Sequence, residues 1–255
     1  MRYREITNNH VVMAKISQPV FRLIGVLVFI FVFGISCAST QIPPALDKQA
    51  NQNIKRANLS LDSELTEYFL EIAFGSEYKG GDGLVTWNKP VRIKLLGYFT
   101  NSDSLEVSNV ISELNTILPT IKLYLVDEQP NISMYFTNRK GFQKNAPKYA
   151  WNNSGYFSIR WAPKEKHVTR GKILIRTNQS QKRRNHIIRE EITQILGLMN
   201  DSERYPDSIF YEKYSTATSY SSIDKEVLQL WDALIPLSGY KQKQIKRYLR
   251  ELQDS

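Results

Sequence analysis

At 255 residues and 42% apolar content, the chain can bury one ordinary core or two small ones. A single cysteine excludes an internal disulfide and any thiolate metal cluster. The formal charge is +9; Arg2, Arg4, Lys15 and Arg22 against Glu5 place +3 of it in residues 1–36, which leaves +6 for the rest. That excess is expected at Gln181–Arg184 and Lys241–Arg250, read as solvated basic faces; in an exported protein they suit anionic lipid or cell-wall polymer better than nucleic acid.

In chain order, the basic stretch Met13–Arg22 precedes an apolar run of thirteen residues, Leu23–Ile35, too short to span a bilayer and matched to the core of a signal peptide. The run ends Gly34-Ile35-Ser36-Cys37, with a small residue before the only thiol. This resembles the lipobox of bacterial lipoproteins, although Gly34 stands where Leu is commoner. The resemblance implies cleavage after residue 36, lipid on Cys37, and export to the periplasmic side of the inner or outer membrane or to the cell surface. An uncleaved signal anchor is the other reading; both tether the chain outside the cytoplasm.

Residues 37–59 are polar, with Pro43-Pro44, and read as a flexible tether of about 25 Å reach. A domain over 60–255 follows. Leu61, Leu65, Tyr68, Phe69, Ile72 and Ala73 recur at helical spacing between Ser60 and Gly75. Val91–Leu96 alternates as a strand. Ser104–Leu118 is predicted helical, with Leu105, Val110, Ile111, Leu114 and Ile117 facing the core. Ile121–Val126 and Ile132–Phe136 read as strands, and Gly155–Trp161 with Gly171–Arg176 as a hairpin. Trp151, Tyr156 and Trp161 belong to the hairpin core or to a cleft edge that stacks on peptide or glycan. After a helix at 184–196 comes a loop-rich, helical C-terminal subdomain within 180–255. The pattern predicts an α/β (α+β) fold with a mixed, mainly parallel sheet.

The chemistry concentrates in 184–202. On a helical wheel Ile188, Ile192, Ile195 and Leu196 form one stripe, while His186, Glu190 and Gln194 stand opposite at four-residue spacing with Glu191 beside them. Gly197 then permits a sharp turn that brings Asn200 and Asp201 back toward Gln194. The segment resembles the zincin signature H-E-x-x-H-x-x-G-x-x-H of metzincin (matrixin-like) metallopeptidases. Glu191 falls on the base position and Gly197 on the turn glycine, but the three ligand positions carry Glu190, Gln194 and Asn200. Asp207–Tyr211 and Ser222–Trp231 resemble that family's Met-turn and final helix, with Phe210 in the methionine position. Most of 60–255 also resembles a family of exported bacterial proteins known only as domain of unknown function 2927. Its marks here are Ile72-Ala-Phe-Gly-Ser-Glu-Tyr78, Trp87-Asn-Lys-Pro-Val91, the run from Glu191 to Asp201, and Pro206–Phe210. The resemblances imply a zincin-like domain with the helix at 184–196 under the sheet and its Glu190 face lining a cleft.

The departures bear on mechanism. Past the signal segment only His167 and His186 remain, so a three-histidine zinc site is excluded by counting. His167, among Lys164, Lys166 and Arg170, reads as a solvated loop residue. No cofactor is expected; Glu190, Gln194 and Asn200, with His186 and Asp201 as lesser candidates, would suit a hard divalent cation better than zinc. The first reading is a membrane-anchored envelope lipoprotein whose non-catalytic zincin-like domain binds a peptide or cell-wall ligand. The alternative is a metal-dependent hydrolase with Glu191 as general base. Partners are then membrane lipid through Cys37 and that ligand, with no nucleic acid expected. No nucleophile elbow, phosphate-binding loop or dinucleotide fingerprint is present.

Overall fold

The computed structural model describes residues 42–75, 83–161 and 167–254. The expected signal peptide and Cys37 therefore lie outside the described residues. Seven helices are described: α1 (Pro44–Arg56), α2 (Ser63–Phe74), α3 (Asn101–Ile117), α4 (Arg139–Asn145), α5 (Gln181–Gln194), α6 (Ser222–Ala233) and α7 (Gln242–Gln253). The strands are β1 (Thr86–Trp87), β2 (Val91–Gly97), β3 (Leu123–Leu125), β4 (Ile132–Thr137), β5 (Gly155–Trp161) and β6 (His167–Arg176).

The sheet runs β3-β2-β4-β6 in parallel, with β5 antiparallel on the far side of β6 and the short β1 pairing the start of β6. This is a mixed, mainly parallel α/β arrangement. The register aligns Ile93, Ile132, Gly171 and Ile159, and then Leu95, Met134, Ile173 and Phe157, as rows on one face. Because side chains alternate along a strand, these apolar rows meet α3 and α5, and the intervening residues face the other way. A small second cluster of Phe142, Ala146, Ala150, Tyr156 and Leu174 holds α4 against that other face.

Strand positions agree with the alternation pattern; helix starts differ where capping decides them. The second helix begins after Asp62, whose carboxylate accepts from Leu65 N at 2.7 Å, rather than at Ser60. In α3, Thr100 and Asp103 form a reciprocal capping box, so the helix begins before Ser104. Its buried stripe uses Val107, while Leu105, expected in the core, is 62% exposed. At the edge of the sheet the Asn115 amide both donates to Leu123 O and accepts from Leu123 N, at 2.8 Å each.

Two readings are corrected. Residues 44–56, expected as part of a flexible tether, form α1: Ala50 and Ile54 are buried and Asn53 donates to Ala233 O at 3.3 Å, so the helix is packed on α6 and the 3-10 turn Ile235–Leu237. Most of its stability comes from that face, since its polar composition gives little periodic signal. His167 is the first residue of β6, half-buried, with Nδ1 3.0 Å from Thr86 Oγ1.

Candidate functional site

The fifth helix is anchored from both ends. Ser180 Oγ accepts from Arg183 N at 3.3 Å, which starts the helix three residues before Arg184. At its end Gly197 has φ +134°, and a Cβ there would stand 2.2 Å from Val85 O. Trp87 Nε1 donates to Ile195 O at 3.1 Å, satisfying one of the terminal carbonyls.

Between these anchors the helix is buried on every side, not only along its isoleucine stripe. His186 and Glu190 are each 2% exposed, Glu191 1% and Gln194 0%. Burial of this much polarity is tolerated only with partners. His186 Nδ1 lies 2.8 Å from Ala217 O, and since a carbonyl only accepts, Nδ1 is the donor. Its Nε2 then faces Glu190 Oε2 at 3.4 Å. Gln194 Nε2 donates to Asp201 Oδ1 at 2.5 Å. Asn200 is half-buried and turned away toward α2: its Nδ2 donates to Glu71 O at 3.1 Å and its backbone N–H to Ile72 O at 3.0 Å. Glu191 lies against β5, where a Cβ on Gly155 would come within 2.3 Å of its Oε1.

The expected set is thus partly assembled. His186 meets Glu190, Gln194 meets Asp201, and Asn200 is drawn to a separate partner. The turn that resembles a Met-turn is held by a buried carboxylate: Asp224 accepts from Ser208 Oγ at 2.6 Å and from Ile209 N at 3.1 Å, with Phe210 fully buried. Burial raises the Asp224 carboxyl above its ordinary value, against hydrogen bonds from Ser208, Ser221 and Ile209.

The wheel did not single out the other polar half of α5. Arg184 Nε meets Asp103 Oδ1 at 2.7 Å, and Arg189 reaches Glu113 at 2.5 Å and Glu106 at 3.4 Å while lying 4.6 Å over the Tyr220 ring. Burial pushes the Asp103 carboxyl up, but hydrogen bonds from Thr100, Gln181 and Arg184 outweigh it and hold it below the ordinary value. For Glu106 burial prevails over the Arg189 charge and the carboxyl is raised. The sequence signal for this half of α5 is the pair Arg184 and Arg189, five residues apart within the helix.

These residues do not fit a resident zinc ion. One imidazole is present, with Nδ1 committed to a carbonyl, and two of the three ligand positions direct an amide nitrogen at a protein oxygen. Among the described residues no group of three or more His, Cys, Asp or Glu is arranged to hold a metal.

The family described as "Protein of unknown function (DUF2927)" matches residues 62–251. No curated protein matches the chain. Among solved structures, that of myroilysin is similar with 12% identity and a TM-score of 0.38, the alignment covering 56% of this chain and 93% of that one.

Proposed function

This chain belongs to the DUF2927 family of proteins of unknown function, and on that premise we propose that its zincin-like domain binds a ligand rather than cutting one. The ligand is an extended peptide or cell-wall strand, held beside α5 by a protein exported and tethered to a membrane through lipid on Cys37. The observation that carries this reading is the engagement of the polar face of α5 by the protein itself. His186, Gln194 and Asn200 each hold a partner within the domain at 2.5–3.1 Å. Glu191, the base position, packs against the backbone of β5. Beside it β5 is an edge strand: among the described residues only β6 pairs with it, so its other edge offers backbone donors and acceptors to an added strand.

The test uses the purified full chain and soluble cell-wall peptide strands in titration calorimetry. Binding is expected to survive a chelator and to survive Glu191→Gln, with metal analysis finding less than one ion per ten chains. One ion per chain, together with ligand turnover that chelation abolishes, would favour the hydrolase with Glu191 as base. Export is tested separately: a fatty-acid analogue should label the protein in cells and fail to label Cys37→Ser.

A further inference from the structure

Half of the cations in the two expected clusters are matched by acidic neighbours. Arg184 pairs with Asp103, Lys246 and Arg250 meet Glu67, and Arg247 meets Glu251. A second concentration of positive charge lies elsewhere. Between Gln129 and Gln181 the sequence holds ten Lys and Arg against one acid, Glu165.

The sheet gathers part of that charge onto its outer face. The register aligns Lys94, Ser133, Lys172 and Ser158 in one row across four strands. Arg92 precedes Lys94 by two residues on β2, and Arg170 precedes Lys172 on β6 with Arg160 opposite it on β5. Residues two apart share a face, so these five cations occupy one surface, opposite the face that packs on α3 and α5. Adjacent strands are about 4.8 Å apart, which puts Lys94 and Lys172 about 10 Å from each other across β4.

Among the described residues none of the five is in an ion pair. Three are held by backbone carbonyls instead. Arg92 donates to Gln129 O and Glu128 O, Lys94 to Asp127 O, and Lys172 to Asn145 O. Carbonyls orient these groups without neutralising them. Burial pushes the Lys172 ammonium down and the Arg160 charge pushes it further, a sign of concentrated positive potential. Ser133 and Ser158 supply hydroxyls between the charges, and Tyr124 and Tyr135 stand at 48% and 39% exposure on the same face.

We propose that this outer face binds an anionic glycan, its cations meeting phosphate or carboxylate groups and its serines and tyrosines meeting sugar hydroxyls and rings. The choice of glycan over nucleic acid rests on the reading that places the domain outside the cytoplasm. The choice over an anionic membrane rests on the serines and exposed tyrosines set among the charges, which suit sugar hydroxyls and rings rather than a surface of lipid headgroups.

The experiment measures binding of the full chain to heparin as the anionic-glycan probe, with neutral dextran, single-stranded DNA and anionic vesicles in parallel. The unmodified chain should bind heparin, with affinity falling as salt rises. The triple variant Lys94→Gln, Arg160→Gln, Arg170→Gln should bind at least tenfold more weakly at low salt, and its log-affinity against log-salt slope should be shallower by about two. Tyr135→Ala should weaken binding without changing the slope. Lys243→Gln with Arg247→Gln, on α7, should change neither. No heparin binding by the unmodified chain, a triple variant within twofold of it, or binding to DNA or vesicles in place of heparin each overturns the proposal. All of these are readings on purified protein, so a failure of fatty-acid labelling at Cys37 would leave them standing.

Discussion

Two polar surfaces of this domain draw on the same residue types and meet opposite ends. On α5, Arg184 and Arg189 are withdrawn from water and matched by Asp103, Glu106 and Glu113. On the outer face of the sheet, Arg92, Lys94, Arg160, Arg170 and Lys172 stay at the surface with carbonyls and serines around them. The first arrangement fixes the fold, because a buried charge deprived of its partner is costly. The second leaves the fold nearly indifferent and the charge available to something else. A count of charges along a sequence does not distinguish the two; pairing in space does.

The sharpest way to break that contrast is at Arg189. Arg189→Met strands Glu106 in a buried position and should cost about 3–5 kcal/mol, read as a lower urea midpoint at unchanged slope. Arg160→Gln on the sheet should stay within about 0.5 kcal/mol. A loss below about 1 kcal/mol for Arg189→Met would mean that the α5 cluster is wet after all.

The next effect is steric. Gly155→Ala drives a methyl into Glu191 and Ile187, at 2.3 and 2.6 Å, and should destabilise by about 1–3 kcal/mol. Adding Glu191→Ala should recover part of that loss in a double-mutant cycle. Strict additivity would show that the β5 backbone and the base position do not touch.

A smaller effect separates two carboxylates by pH. Asp224 is raised in the folded chain, so the native state keeps a proton that the unfolded state has already released. Stability therefore falls as pH rises from the ordinary Asp value through the folded one. Asp103 is lowered, so its contribution is complete above the ordinary value and is lost as pH falls through the folded one. Urea titrations across the acid range should show Asp224→Asn removing the first slope and Asp103→Asn the second; an unchanged profile in either variant removes that carboxylate from the account.

The least effect belongs to α7. Its Arg247–Glu251 pair is mostly exposed, with side chains 54% and 68% accessible, and Arg247→Ala should leave the melting temperature within about 2 °C. A larger drop would mean that α7 resembles α5 more than it resembles the sheet.

Much of the architecture was legible where a periodicity of two dominates. Val91–Leu96, Ile132–Phe136 and Gly155–Trp161 alternate, and all three are strands. Elements with weak apolar signals were not legible. The first helix buries Ala50 and Ile54 from an otherwise polar run, and α4 buries Phe142 alone. Leu105 shows the converse error, an apolar residue left in water while Val107 two positions on is buried. At the site, the sequence showed His186, Glu190 and Gln194 on one side of a helix and Gly197 at its turn. It could not show what covers that side. The covering groups are the Ala217 carbonyl, Asp201 and the Gly155 backbone, partners set by tertiary structure that a helical wheel does not contain. Glu190 was therefore expected to line a cleft, and is 2% exposed.

The Asn115 amide has a consequence for how copies of this protein behave together. A sheet edge with bare backbone groups is a template on which another chain can lay a strand, and β3 is such an edge, with Tyr124 and Leu125 exposed beside it. By filling both backbone valences of Leu123 with one side chain, α3 leaves an incoming strand only Leu125 to pair with on this short element. That edge of the sheet is thereby blunted from within its own fold, without a charged gatekeeper in β3 itself, while β5 keeps the open edge on the far side.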